Sequence, residues 1–374
     1  MFCTFTQIHE MRKLFLLAGF CCWIGLPVFA QAITEKDSLD FKIGQMIIFG
    51  FYGTRIDSSD AVFKAVNEGK IGSILLYGRN LSTVKTADSL WMLINGFQKA
   101  APYPLFISID QEGGIVNRLK PELGFPRMPS AQWLGTMNNG DTTKYYADNI
   151  AYTLSRLGIN LNYAPVVDIY NPNCPVLGAR ERCFSNDPEV ITEQAAITIE
   201  SHHYFGVKTV LKHFPGHGSS LKDTHLGLTD VSTTWAPMEL VPYRNLLKTN
   251  TADAIMTAHI VNAQLDSSKL PATLSKKILT GLLRNQLGFK GVVFSDDMMM
   301  KAISDHYSLE ESIFLALDAG VDVLMFSNNI RGVKDYSPSN VHAIIKKLVL
   351  SGRIPMARIN ASYSRVMELK TKQF

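Results

Sequence analysis

The stretch Val207-Lys208-Thr209-Val210-Leu211-Lys212-His213-Phe214-Pro215-Gly216-His217-Gly218 decides how the rest of the chain is read. A short apolar, β-branched run ends in a lysine and a histidine. Pro215, Gly216 and Gly218 then exclude a regular helix, so a shaped loop follows. The unit is therefore a strand that delivers polar side chains into a loop.

Seven further runs of this kind recur outward from it, at 43–50, 71–77, 105–110, 159–166, 254–259, 291–295 and 321–326, with 207–212 completing eight. Each is short and few alternate cleanly, as expected for strands buried on both faces. Helical spacing of apolar residues appears between them, at 84–101, 142–157, 275–287 and 308–319. Asp141 or Thr142 is the expected cap of the second, and Asp187-Pro188 opens another helix with proline in its first turn. Strands alternating with helices imply parallel β/α units. Eight units predict an α/β fold, a single (β/α)8 TIM-type barrel, with a doubly wound open sheet as the alternative. The residues after Phe326 leave room for closing helices but not for a second domain.

A barrel gathers chemistry at the C-terminal ends of its strands. Asp110, Lys212, His213, His259, Asp296 and the pair Ser327-Asn328 fall there. Three stretches stand out. In Asp110-Gln111-Glu112-Gly113-Gly114, followed by Asn117-Arg118, two carboxylates precede paired glycines, which suggests a tight turn aimed at a ligand, although Glu112 also suits a capping role. After the 207–218 segment comes Asp223-Thr224-His225. In a loop, that spacing lets the carboxylate accept a hydrogen bond from the imidazole, fixing its tautomer and stabilising its charged form. An imidazole with an ordinary pKa of about 6.5 suits proton transfer near neutral pH. In Gly291-Val292-Val293-Phe294-Ser295-Asp296-Asp297 an apolar strand ends in two acids; the first can point into the barrel mouth while the second caps or braces, and capping by both is the alternative.

Together these segments resemble the family 3 glycoside hydrolases, and within them the bacterial β-N-acetylhexosaminidases. The likeness is carried by Lys212-His213-Phe214-Pro215-Gly216-His217-Gly218 with Asp223 and His225, by Ser295-Asp296-Asp297, and by Asp110-Gln111-Glu112-Gly113-Gly114. Arg182-Cys183-Phe184-Ser185-Asn186-Asp187-Pro188 and the segment ending at His259 add to it, over roughly residues 40–370. The resemblance implies a β/α barrel, retention of configuration and no cofactor or metal. It implies Asp296 as nucleophile and His225 as general acid and then base, with Asp223 orienting it. It implies that Asp110, Arg118, Arg182, Lys212 and His213 hold the terminal sugar, while His259 lines the pocket. Gln111 and Ile115 stand where the family often has His and Arg. Most retaining glycosidases use two carboxyl groups. A His–Asp pair on a loop supplies the second function from within the barrel, where many two-domain relatives are thought to recruit a second domain.

The implied activity is a retaining exo-β-N-acetylglucosaminidase acting on peptidoglycan fragments or related oligosaccharides. Preference for the acetamido group rests on the resemblance alone. Phosphorolysis by the same site is an alternative, because a neutral histidine repels phosphate less than a carboxylate does. A catalytically inactive sugar-binding barrel is another. His213, His217, His225 and His259 also suit zinc, yet a His-x-His pair after the first strand is missing, where Phe51-Tyr52-Gly53 stands.

Residues 1–32 are of a different kind. Arg12 and Lys13 precede an apolar run broken by Pro27, and Ala30 and Ala32 give a small-residue cleavage pattern. This reads as a removed secretory segment and predicts an exported, periplasmic or extracellular protein of residues 33–374, with no stable membrane insertion. Met11 is an alternative start. The net charge of +4 is dispersed, so no nucleic-acid partner is expected and carbohydrate is the expected ligand. Export would expose Cys174 and Cys183 to oxidation, and a disulfide and two free thiols are both compatible with their spacing.

Overall fold

In a computed structural model the described residues are 35–224, 226–330 and 332–373. The chain divides after Ser38, and the unit from Leu39 onward is a closed barrel. Its strands are β1 (Ile47–Gly50), β2 (Ser73–Leu76), β3 (Phe106–Ile109), β4 (Leu161–Asn162), β5 (Lys208–Phe214), β7 (Ala254–Thr257), β9 (Val292–Asp297) and β10 (Val323–Phe326). Each pairs in parallel with its sequence neighbour in the barrel, and β1 closes against β10 with Ile47 beside Leu324. Two short strands outside it, β6 (Thr229–Asp230) and β8 (Ile260–Val261), pair with each other.

Burial on both faces explains the continuous apolar runs. Ile48, Leu75, Phe106, Val210, Phe294 and Met325 pack inside the barrel. Their neighbours in sequence, such as Ile47, Phe49, Ile107 and Leu324, pack outward against the helices. At the N-terminal end of the strands, Asp322 is fully buried and paired with Arg284, Arg358 and Arg365. Such ends of barrel strands serve stability rather than catalysis.

All eight expected strands are present, most of them shorter than the apolar runs that announced them, two by half or more. The run 43–50 hides a change of element: residues through Gln45 complete the helix Glu35–Gln45, and only Ile47–Gly50 pair as a strand. Leu39 and Ile43 lie four apart and are buried, so the same apolar run serves a helix face and then a strand. The run 159–166 yields ladder pairing at Leu161–Asn162 only, with a single further bridge between Val166 and Lys212. Pro165 has no N–H to offer that ladder.

The helices follow the sequence closely. Asn139, rather than Asp141 or Thr142, caps Gly140–Leu157 by accepting from the Thr142 amide at 2.8 Å. Asp187 and Ser308 cap Pro188–Tyr204 and Leu309–Ala319. The segment expected as a helix at 275–287 is wound as a π-helix over Lys277–Gln286. Among the described residues no helix is long and apolar enough to cross a membrane. The expected secretory segment, 1–32, lies outside the described residues. Cys174 and Cys183 are buried free thiols, not a disulfide; they sit in an apolar cluster with Val166, Val176 and Leu177.

Candidate active site

The C-terminal mouth of the barrel holds a cavity of about 300 Å3. Asp110, Arg118, Arg182, Lys212, His213 and Asp296, all singled out in the sequence, line it together. They come from the ends of β3, β5 and β9 and from the loop before the helix Pro188–Tyr204.

Lys212 is 1% exposed and lies at the end of β5. Its ammonium reaches Asp110 at 2.8 Å and Glu112 at 2.6 Å. Glu112 in turn accepts two hydrogen bonds from Arg182, at 2.9 and 2.8 Å, a planar fork that fixes both groups. Arg118 approaches the second oxygen of Asp110 at 3.6 Å. Two acids thus bridge three cations within one wall. Burial pushes the Glu112 carboxyl up, but Arg182 and Lys212 together hold it well below the usual carboxylate range. Burial works against the charge on Arg182, but Glu112 outweighs it and holds the guanidinium above its ordinary pKa. Glu112 is therefore not the turn cap its position suggested. It is the central anion of the site.

The local backbone explains how this wall is built. Gly113 has φ +97°, and a Cβ on it would meet the Pro129 carbonyl at 2.3 Å. Only glycine fits this turn. Gln111 is buried, and its side-chain oxygen accepts from the amides of Arg118 and Leu119 at 2.9 and 3.1 Å. Gln111 therefore shapes the loop that presents Arg118, while Ile115 is exposed at the cavity rim.

His213 reveals a residue that sequence reading missed. Its Nδ1 lies 2.7 Å from Asp168, which is fully buried and also accepts from the His217 amide at 2.7 Å. Burial pushes Asp168 up, but His213 pulls it below its ordinary value, so it stays an anion. The signal was available in Val166-Val167-Asp168, an apolar run that ends in an acid two residues past the expected strand.

Asp296 lies near the end of β9, its amide 3.3 Å from the Thr257 hydroxyl. Its Oδ1 accepts from the amide of Asp297 at 2.7 Å, which turns the carboxylate toward the cavity. Asp297 braces: it accepts from the Met299 and Ser327 amides and from the Ser327 hydroxyl. Burial pushes its carboxyl up to about 6. His259, expected to line the pocket, is instead fully buried behind it. Its ring nitrogens meet the Thr273 hydroxyl at 2.7 Å and the Asp297 carbonyl at 3.0 Å, so it supports the strand end.

The loop beyond β5 is anchored differently. Glu239 accepts from the Gly218 amide at 3.1 Å, and burial pushes its carboxyl up to about 7. His217 is buried, which lowers its ring to about 4, and its Nε2 lies 3.2 Å from the Thr224 hydroxyl. Asp223 is half-buried in this loop and outside the cavity wall, and His225 lies outside the described residues. Among the described residues no three His, Cys, Asp or Glu side chains gather as a metal site.

A family model described as the glycosyl hydrolase family 3 N-terminal domain matches residues 38–369. A protein named Beta-hexosaminidase A from Pseudoalteromonas piscicida is 33% identical over 330 residues, covering 81% of this chain and 53% of its own length. A Beta-hexosaminidase of Tolumonas auensis is 36% identical over 267 residues, 70% of this chain and 77% of that one. Among solved structures, a glycoside hydrolase family 3 β-N-acetylglucosaminidase from Paenibacillus sp. FPU-7 superposes with a TM-score of 0.81 at 34% identity, over 89% of this chain and 62% of that one. The chain thus spans about half of the Pseudoalteromonas protein and less than two thirds of the Paenibacillus chain.

Proposed function

Because the chain belongs to glycosyl hydrolase family 3, we propose that it is a retaining exo-β-N-acetylglucosaminidase that removes terminal β-linked N-acetylglucosamine from peptidoglycan fragments or related oligosaccharides. One observation carries the reading: the carboxylate of Asp296 shares a cavity of about 300 Å3 with Asp110, Arg118, Arg182, Lys212 and His213. A recess of that size takes one terminal ring, and its wall offers donors and acceptors in fixed positions for hydroxyl groups.

In this proposal Asp296 attacks the anomeric carbon. The bond from that carbon to the glycosidic oxygen breaks as His225 donates a proton to the departing oxygen, with Asp223 holding the imidazole. Water then attacks the same carbon, His225 takes the water's proton, and the bond to Asp296 breaks. Two inversions give net retention. The names of the similar proteins support the acetamido preference. The pattern of residues 1–32 supports export, hence a substrate outside the cytoplasm.

The test is hydrolysis of aryl β-glycosides that differ only at C2, followed by product analysis in phosphate buffer. Release of free N-acetylglucosamine from the acetamido substrate alone is expected. Accumulation of a sugar 1-phosphate would replace hydrolysis by phosphorolysis, and tight binding without turnover would leave a sugar-binding barrel.

A further inference from the structure

Beside the sugar cavity lies a second, open groove of about 660 Å3, and Ile115 borders both. The segment Arg180 to Arg182 forms the other shared edge: Arg180 and Arg182 line the cavity, while Glu181 between them lines the groove. Trp133, 43% exposed, also lines the groove. We infer that this groove is the subsite for the leaving-group sugar, and that its saccharide ring stacks on Trp133.

Trp133 is presented rather than merely exposed. Ser130 caps the short helix Ala131–Met137 by accepting from the Trp133 amide at 3.3 Å. Tyr146 meets the indole edge to face, with ring centroids 5.9 Å apart, and leaves part of it to solvent. The helix is docked on the active-site loop: the Gln132 amide donates to the Glu181 carbonyl at 3.2 Å. A Cβ on Gly135 would meet the Phe184 carbonyl at 1.8 Å, so the two segments are flush. Platform and sugar cavity are therefore held in one register by the stretch that carries Arg182. A flat, partly wet aromatic face suits the apolar face of a pyranose ring.

The charged side chains around the groove balance, Lys120 and Arg127 against Glu122 and Glu181. Such a lining addresses hydroxyl and amide groups and exerts no net pull on an anion. The occupant that fits is the neighbouring neutral saccharide of a β-linked oligosaccharide, continuous with the ring in the cavity. The inference rests on the glycosidase reading above.

The experiment compares kcat/KM for N-acetylglucosamine oligomers with kcat/KM for an aryl N-acetylglucosaminide, in the natural protein, Trp133→Ala and Trp133→Phe. The expected ratio of oligomer to aryl substrate falls about five- to tenfold in Trp133→Ala, mainly through KM, and is largely restored in Trp133→Phe. In an Asp296→Asn background, addition of the oligomer is expected to change tryptophan emission, and Trp133→Phe to abolish that change. An unaltered ratio in a protein that cleaves both substrates overturns the subsite alone. A natural protein that cleaves neither substrate overturns the functional reading and the subsite with it.

Discussion

The wall of the Asp296 cavity and the loop beyond β5 solve opposite problems a few residues apart in sequence. In the wall, charges are matched in place: Lys212 sits between Asp110 and Glu112, Arg182 grips Glu112, and His213 rests on Asp168. The side chains of Lys212 and Glu112 are 2% and 5% exposed. The root of the loop is held by several bonds, among them Asp168 to the His217 amide, the Trp235 indole to the Pro215 carbonyl and Glu239 to the Gly218 amide, and His217 meets Thr224 further along. Leu221 and Leu226 on it are 57% and 76% exposed. A buried, densely paired network pays its ordering cost at folding and meets a ligand already arranged. The exposed outer part of the loop, around Leu221 and Leu226, is packed less tightly than the wall and opens at lower free energy, which would suit the proposed proton donor.

Five outcomes would break or sharpen this contrast. Asp296→Ala removes the proposed nucleophile from the rigid half, and turnover of aryl N-acetylglucosaminide is expected to fall on the order of 10,000-fold or more. Near-normal kcat in that variant would end the covalent mechanism. His225→Ala acts on the loop half. It is expected to cost roughly 100- to 10,000-fold on substrates with poor leaving groups and far less on acidic phenols, which depart with little help. Equal losses across a leaving-group series would remove His225 from the role of acid.

Glu112→Ala tests the wall as a structural unit. Lys212 and Arg182 lose their shared carboxylate while buried, so denaturant unfolding is expected to show a loss of about 3–5 kcal/mol. A change near zero would mean that the wall relaxes and is not preorganised. Asp223→Asn should cost less than His225→Ala on every substrate if its part is to orient the ring, and wild-type pH–rate profiles would exclude it.

The smallest effect concerns the loop root. Glu239 has an ordinary pKa of 4.5, raised to about 7 by burial. Its folded-state value lies above the unfolded one, so the folded protein binds the extra proton between them. The stability this contributes is fully present below pH 4.5 and is lost as pH rises through about 7. Asp297 acts in the same direction between 3.8 and about 6. Glu239→Gln should therefore flatten the fall of melting temperature across pH 5–8 by several tenths of a degree to a few degrees. An identical slope would show that Glu239 is not held neutral.

Much of the site was legible because catalytic groups on a barrel must follow strands. Asp110, Lys212, His213 and Asp296 each follow or end an apolar run, and the structure gathers them around one cavity. Glu112 was visible but left between a ligand-facing turn and a cap, since its partner Arg182 is 70 residues away and spacing along the chain says nothing of such a pairing. Asp168 was passed over because the strand was taken to end at Val166. His259 was placed on the pocket wall by the family resemblance, but its side chain points behind Asp297. Disulfide formation at Cys174 and Cys183 was left open by spacing, and packing left both thiols free inside an apolar cluster.

Periodicity and strand-end chemistry specified the eight-fold β/α order and most of the polar residues at the barrel mouth, because both are written locally, one element at a time. Which acid neutralises which base, which histidine faces the cavity and where a second groove opens came from closure of the barrel. Those outcomes depend on side chains from distant loops meeting in a confined, poorly solvated space, where pairing energies are set by geometry that no single segment contains.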